Sequence, residues 1–374
     1  MNEKDLDQLL SLEEEWNEQE DVSFAKKMKK KLEKQMNKRV FFGMILTVAV
    51  TGILLFLISS SFDLLFYNPK KPSKYIEDTE LEDYVYSDFH FLMDIYTGLT
   101  YPGKRYYQVE HLSKSEGFGS YKMYAKIQDA YEPMNIDGRY NTVYQIKRNR
   151  FSVEPMTEES ITSVHLWDFY NDSKADEYNG YIKKYQDMDA ERMEEIEKLP
   201  ESAVLYATIS FDKVRSLEDT IAFIRQYPNS DFNWIAMDSD VQFMVGSFDG
   251  IRLDAVIAYP LTEEAEEKYP YLTLYDLSEE TTAEQLEQCY LSRLQILRDN
   301  PIFLRVVSYE QGYYDDARRK TSQIDDRLAE IEEKGLWSIG LYGRITKEDF
   351  LTMVEKGEIP YAVIKDAKLS VLSK

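Results

Sequence analysis

The stretch "KKMKKKLEKQMNKRVFFGMILTVAVTGILLFLISS", Lys26–Ser60, decides how the rest of the chain is read. Eight basic residues fall within its first fourteen positions, and then 23 residues, Val40–Phe62, carry no charge. As a helix rising about 1.5 Å per residue, that run would be roughly 35 Å long, enough to cross a hydrocarbon core of about 30 Å with some tilt. A signal peptide has an apolar region of only about 7–15 residues behind a short basic head, and it ends in a small-residue cleavage site. Here 39 residues come first, and Phe62, Leu64, Leu65, Phe66 and Tyr67 follow with no A-x-A pattern. A buried core helix of this length normally keeps a polar face. The run is therefore expected to be one transmembrane helix over 40–62.

Lysine and arginine near a span set its orientation. Lys26, Lys27, Lys29, Lys30, Lys31, Lys34, Lys38 and Arg39 precede it, whereas only Lys70, Lys71 and Lys74 follow within comparable reach. This bias predicts a single-pass cell-membrane protein with a cytoplasmic N-terminus and an extracytoplasmic C-terminal part. Lys29, Lys30, Lys38 and Arg39 are expected at the inner membrane interface, with Phe62, Phe66 and Tyr67 near the outer one. Charge divides accordingly. Residues 1–39 hold 9 basic and 10 acidic side chains, which leaves 36 basic and 58 acidic residues for the remainder. So acidic an outer part disfavours nucleic acid and anionic lipid as its direct ligands. Cys289 is the only cysteine, so no internal disulfide can form. A large exported part without disulfides suits a bacterial cell surface.

The expected layout is a cytoplasmic tail (1–39), the span (40–62), a first α+β region with its linker (63–195) and a C-terminal region (196–374). In the tail, Leu6, Leu9 and Leu10 follow helical spacing with Leu12 and Trp16 nearby, and Phe24, Met28, Leu32 and Met36 recur every fourth residue. The acidic patch Glu13–Asp21 lies between these two patterns. A tail of this size buries no core of its own and is either a tether or a segment that folds on a partner. Beyond the span, "NPKKPS" (Asn68–Ser73) reads as a break, and 75–97 has apolar residues at mixed helical spacing. Residues 120–131 alternate as a half-buried strand, and Arg139–Phe151 reads as a second strand after an "NIDG" turn. Residues 187–199 read as a charged helix. From about Pro200 the order becomes β-α-β. Ala203–Phe211 is a strand, and Ser216 with Asp219 has capping-box spacing before a helix. Two strands joined near Ser239 follow. Helices are expected at Ala283–Arg298 and Asp315–Lys334, then a strand at 336–346, a helix capped at Thr346, and a closing strand from Tyr361. The fold class is α+β with a mainly antiparallel sheet.

A search for chemistry returns little. The three histidines, His90, His111 and His165, form no zinc pattern with Cys289. No G-x-S-x-G, P-loop or G-x-G-x-x-G is present. "GFG" at Gly117–Gly119 reads as a hairpin turn. "DSD" at Asp238–Asp240 reads as a turn too, because Val241 and Gln242 break calcium-loop order. "YYDDARR" at Tyr313–Arg319 reads as a helix start with acids in its first turn. No residue set nominates itself for catalysis, so the expectation is a non-enzyme with no cofactor and no bound metal.

The stretch "SFAKKMKKKLEKQMNKRVFFGMILTVAVTGILLFLI" resembles the N-terminal block of the sigma factor regulator family. "AVLYATISFDKVRSLEDTIAFI", "FNWIAM" and "GLWSIGLYGRITKEDFLTMVEKGEI" are similar to that family's outer domain. The resemblance covers about residues 20–65 and 195–372. It implies a bacterial membrane-anchored negative regulator (an anti-sigma factor) that holds an extracytoplasmic-function sigma factor through its cytoplasmic tail. Leu6, Leu9, Leu10, Leu12, Trp16 and Phe24 are the expected partner-binding residues, with the acids at 13–21 meeting a basic surface. The membrane is the other expected partner; a second membrane protein belongs to the alternative in which the chain is a subunit of a membrane complex, where the small-residue stripe Gly43, Thr47 and Thr51 would allow close helix approach. The alternative is an extracytoplasmic binding or wall-associated protein whose tail is only an anchor, acting as a subunit of a membrane complex.

Overall fold

The computed structural model describes residues 3–77, 80–81, 84–108, 112–131, 142–155, 169, 190–239, 248–253, 260–274, 277, 280–308 and 316–369. The chain forms two compact units, 1–62 and 63–374. The first is helix α1, Glu3–Leu65, whose last residues lead into the second unit. Two helical patterns in the tail were read, the second of them able to run straight into the span. Both patterns and the span lie on a single 63-residue helix, about 95 Å long. Nothing between Glu3 and Leu65 breaks it, because the segment holds no proline and its two glycines, Gly43 and Gly52, are isolated.

The second unit is α+β, built on two antiparallel sheets. The larger uses β8 (Ala203–Ser216), β9 (Asp231–Met237), β10 (Gly250–Arg252), β11 (Trp337–Thr346) and β12 (Tyr361–Leu369), in the order β10-β9-β11-β8-β12. Helix α4 (Leu217–Gln226) links β8 to β9, and α9 (Lys347–Glu355) links β11 to β12. The two β-α-β units interleave, so each crossover spans one intervening antiparallel strand, a split β-α-β arrangement. Both helices begin where the sequence places them. The Ser216 hydroxyl accepts from the Asp219 amide at 3.1 Å, and that of Thr346 from the Asp349 amide at 3.2 Å. Regular pairing of β8 with β11 ends at Ser210 and resumes at Arg215, so β8 outruns the expected end at Phe211 by an irregular segment.

The smaller sheet has β3 (Lys104–Gln108), β4 (Lys114–Gly117), β5 (Ser120–Asp129), β6 (Thr142–Lys147) and β7 (Arg150–Pro155), with β3 and β4 sharing one edge of β5. Tyr121, Met123 and Ala125 face the core as their alternation predicts, but Gln128, not Ile127, is buried at the strand's end. The expected strand Arg139–Phe151 is corrected. Its described part is a hairpin, β6 turning into β7 through Arg148 and Asn149, both at positive φ (51° and 64°). The "NIDG" turn lies outside the described residues, as do "DSD" from Asp240 on, 241–247, and the start of "YYDDARR". The strand that pairs with β9 is β10.

Helix α2 (Asp88–Thr100) stands where helical spacing was read over 75–97, but it starts thirteen residues later and every one of its residues is buried. Before it, 80–81 and 84–85 form a two-stranded ladder, β1 with β2. Ser87 fixes the start, its hydroxyl accepting from the His90 amide at 3.2 Å. Remaining helices are α3 (Ala190–Glu197), α5 (Glu263–Lys268), α6 (Ala283–Arg298), α7 (Pro301–Ser308) and α8 (Asp316–Lys334). Of these, α5 and α7 had no counterpart in the sequence reading. One continuous core joins α2, both sheets and α6, with residues from each side of position 195. A smaller cluster of Phe169, Trp234, Ala236, Ile339 and Tyr342 covers the other face of the large sheet.

Polar groups tie α2 to both sheets. Arg252 of β10 makes a two-pronged ion pair with Asp94 of α2, 3.0 Å at each contact, and also donates to the Lys104 carbonyl of β3 at 3.2 Å. The Trp234 indole donates to the Gly98 carbonyl at 3.0 Å. Tyr342 of β11 donates to the Asp129 carboxylate of β5 at 2.8 Å, and Lys104 pairs with the same carboxylate at 3.7 Å.

Candidate functional site

The expected partner-binding residues all lie on α1. At about 100° per residue, positions 6, 9, 10, 12, 16 and 24 fall within an arc of about 160°, so one helix face carries them. The side chains before Phe24 are not described; Phe24 itself is exposed. The apolar positions Phe24, Met28, Leu32 and Met36 advance about 40° at each step, so the stripe winds slowly round the helix. Most of the lysines between 26 and 38 fall on the opposite side. Lys29, Lys30, Lys38 and Arg39 are all exposed. The helix is long and apolar enough over 26–62 to cross a membrane, and none of its most apolar window is buried. Two of its hydroxyls turn inward on the helix itself: Thr47 donates to the Gly43 carbonyl at 2.9 Å and Ser61 to that of Leu57 at 2.8 Å.

Within the second unit, the segment that follows α1 is held at four points. The Tyr67 amide donates to the Asn149 carboxamide at 2.7 Å, and the Lys70 ammonium to the Ser113 carbonyl at 2.8 Å. The Asp88 amide donates to the Lys71 carbonyl at 3.0 Å, and the Ser73 amide to that of Tyr86 at 2.9 Å. Tyr67, expected at an interface, lies with its ring 6.3 Å from Phe89 of α2, and burial pushes its phenol well up. The "GFG" stretch is a two-residue turn between β4 and β5. Phe118 and Gly119 both take positive φ, 52° and 69°, and Phe118 is 39 % exposed. A bulky residue rarely adopts that conformation.

Among the described residues no group of three or more His, Cys, Asp or Glu side chains is placed to hold a metal ion. His90 is buried against the Tyr86 ring, 4.3 Å away and nearly parallel, and burial pushes its imidazole down to about 3. His111 and His165 lie outside the described residues. Cys289 is fully buried, which pushes its thiol up and makes it a poor nucleophile. The sequence reading missed the convergence of the Arg252–Asp94 pair and of the turns beside residues 66–71, since their parts lie far apart in the chain. No family model, curated protein or solved structure matches the chain.

Proposed function

We propose that the chain is a single-pass membrane regulator of the anti-sigma type, with residues 1–39 in the cytoplasm and 63–374 outside. The tail holds an extracytoplasmic-function sigma factor away from its polymerase through the face that carries Leu9 and Trp16. The outer unit sets how available that face is. The observation that supports this reading best is the continuity of α1 from Glu3 to Leu65. A stiff rod that carries a partner-sized apolar face at one end and meets a folded unit at the other passes a rotation or a shift along its whole length. A flexible joint between tail and span would dissipate it. Any outer signal must bind two states of the outer unit unequally for the tail to respond.

The test is binding of the full chain in nanodiscs to a panel of extracytoplasmic-function sigma factors. Replacing Leu9 and Trp16 together with alanine is expected to cost about 2–4 kcal/mol, a loss of about 30-fold to 1000-fold in affinity. If the double variant holds its sigma factor as tightly as the parent, or no member of the panel binds the parent, the tail is only an anchor and the reading as a subunit of a membrane complex takes over.

A further inference from the structure

The second unit is strongly acidic overall, yet at one end of the small sheet the charge reverses. Three segments distant in sequence meet there. The exit segment 66–71 brings Lys70 and Lys71, the β4–β5 hairpin brings Lys114 and Lys122, and the β6–β7 turn brings Lys147, Arg148 and Arg150. Across 66–71, 112–122 and 147–150 the only acid is Glu116, which pairs with Lys122 at 3.7 Å. The juxtaposition rests on contacts. The Arg148 amide donates to the Gly119 carbonyl at 2.8 Å, Ser120 of β5 stands opposite Lys147 of β6, and a side chain at Gly119 would meet the Phe66 ring at 3.3 Å. Phe118 sits at the hairpin tip beside this cluster, 39 % exposed and held at positive φ.

Covalent geometry fixes where this surface is. Phe66 is four residues from Phe62, the end of the uncharged run, so no arrangement of the two units separates their Cα atoms by more than about 15 Å. Two hydrogen bonds, from the Tyr67 amide to Asn149 and from the Lys70 ammonium to the Ser113 carbonyl, hold the turns to that exit point. A cationic rim around an exposed aromatic is the chemistry that docks on an anionic lipid surface: the charges meet phosphate headgroups and the ring enters the interface. Phenylalanine at the tip, where asparagine or glycine would turn with less strain, fits a ring selected for what it touches.

We propose that the Phe118 hairpin and the basic turns around it form a surface that docks on anionic phospholipid headgroups of the leaflet where α1 ends, and so sets the tilt of the outer unit. The proposal rests on the reading of α1 as a membrane anchor. It is tested with the full chain in nanodiscs that contain bromine-substituted lipid. Cys289 is buried, so a single added cysteine takes an environment-sensitive dye alone. One sample carries the dye at Ser115→Cys beside the tip, another at Thr51→Cys within the apolar run. In phosphatidylglycerol–phosphatidylcholine discs both dyes are expected to be quenched. Quenching at 115 is expected to be lost in pure phosphatidylcholine, in high salt, and in a Lys114→Glu/Lys147→Glu/Arg150→Glu variant, and to weaken in Phe118→Ser. Quenching at 51 is expected to persist throughout. A dye at 115 that is never quenched while 51 is, or that is quenched equally in neutral discs, overturns the docking surface and leaves the anchor standing. A dye at 51 that stays unquenched removes the anchor itself. Phe118→Ser alters one exposed side chain and keeps the test readable if the triple variant misfolds.

Discussion

Helices α1 and α2 have opposite fates. The apolar window of α1 is wholly exposed, whereas all 13 residues of α2 are buried. What separates them is the polar content each has to satisfy. Within the uncharged run of α1 the polar side chains are threonine and serine, and the hydroxyls described in hydrogen bonds there turn back on the helix's own carbonyls. Such a helix asks nothing of a protein neighbour, which is the condition for standing in lipid. Helix α2 carries Asp88, His90 and Asp94, groups that a core accepts only with partners or in neutral form. The core supplies Arg252 to Asp94, the Lys74 amide to Asp88 at 3.1 Å, and a Tyr86 ring to a neutral His90.

The sharpest break of this contrast is Arg252→Met. It leaves the Asp94 carboxylate buried without its cation and is expected to cost about 3–5 kcal/mol. Urea unfolding of the full chain in detergent micelles measures it. Asp94→Leu combined with Arg252→Met removes both charges and should recover much of the loss, since a buried ion pair adds little over an apolar pair of similar size. It stops short of full recovery because the Lys104 carbonyl also loses its donor. A double variant no better than the single would locate the cost in packing and not in charge.

Acid gives the next largest effect. In the folded state burial depresses the His90 pKa to about 3, while the unfolded chain takes up a proton near 6.5. Below 6.5 the unfolded state binds a proton that the folded state refuses. The contribution of His90 is therefore complete above that value and lost progressively as pH falls toward 3, by about 2 kcal/mol at pH 5. Asp88, raised by burial, acts in the opposite sense, so the wild-type curve mixes the two. The difference between wild type and His90→Phe, which keeps a ring on Tyr86, isolates the histidine. That difference should grow from pH 7 to pH 5; a flat difference would mean that the imidazole is charged in the folded state.

Local signals in the sequence survive in the structure, and the rest was invisible for physical reasons. Ser216 and Thr346 cap the helices they were expected to start, because a cap involves residues three apart and needs no tertiary context. The apolar run of α1 is likewise legible from composition alone. The Arg148–Asn149 turn was missed because neither residue is glycine, although asparagine tolerates positive φ and was the available hint. The Asp94–Arg252 pair joins residues 158 apart, and nothing near either one announces the other. Net charge misled in a different way. An excess of acids across 63–374 argued against anionic lipid, but a total says nothing of how charge is spread, and only folding brings Lys71, Lys114 and Lys147 to one end of a sheet.

The smallest effects set one hydroxyl against another. The Ser87 hydroxyl, almost fully buried, accepts from the His90 amide, one of the first amides of α2 that no helical carbonyl can reach. Ser87→Ala leaves that donor orphaned in the core and is expected to cost about 1 kcal/mol. The Thr47 hydroxyl of α1 donates to the Gly43 carbonyl, which a backbone amide already engages within the helix. Thr47→Val removes a bond that no group depended on and keeps the side-chain shape, so its effect should stay within about 0.5 kcal/mol. The same unfolding experiment reads both. Equal losses would mean that the Thr47 hydroxyl also satisfies something outside its own helix, and the most direct candidate would then be a second helix packed on the stripe of Gly43, Thr47 and Thr51. Reconstituting Thr47→Val at increasing lipid-to-protein ratio separates the two cases. A loss that fades with dilution belongs to a neighbour, and one that persists belongs to α1 itself.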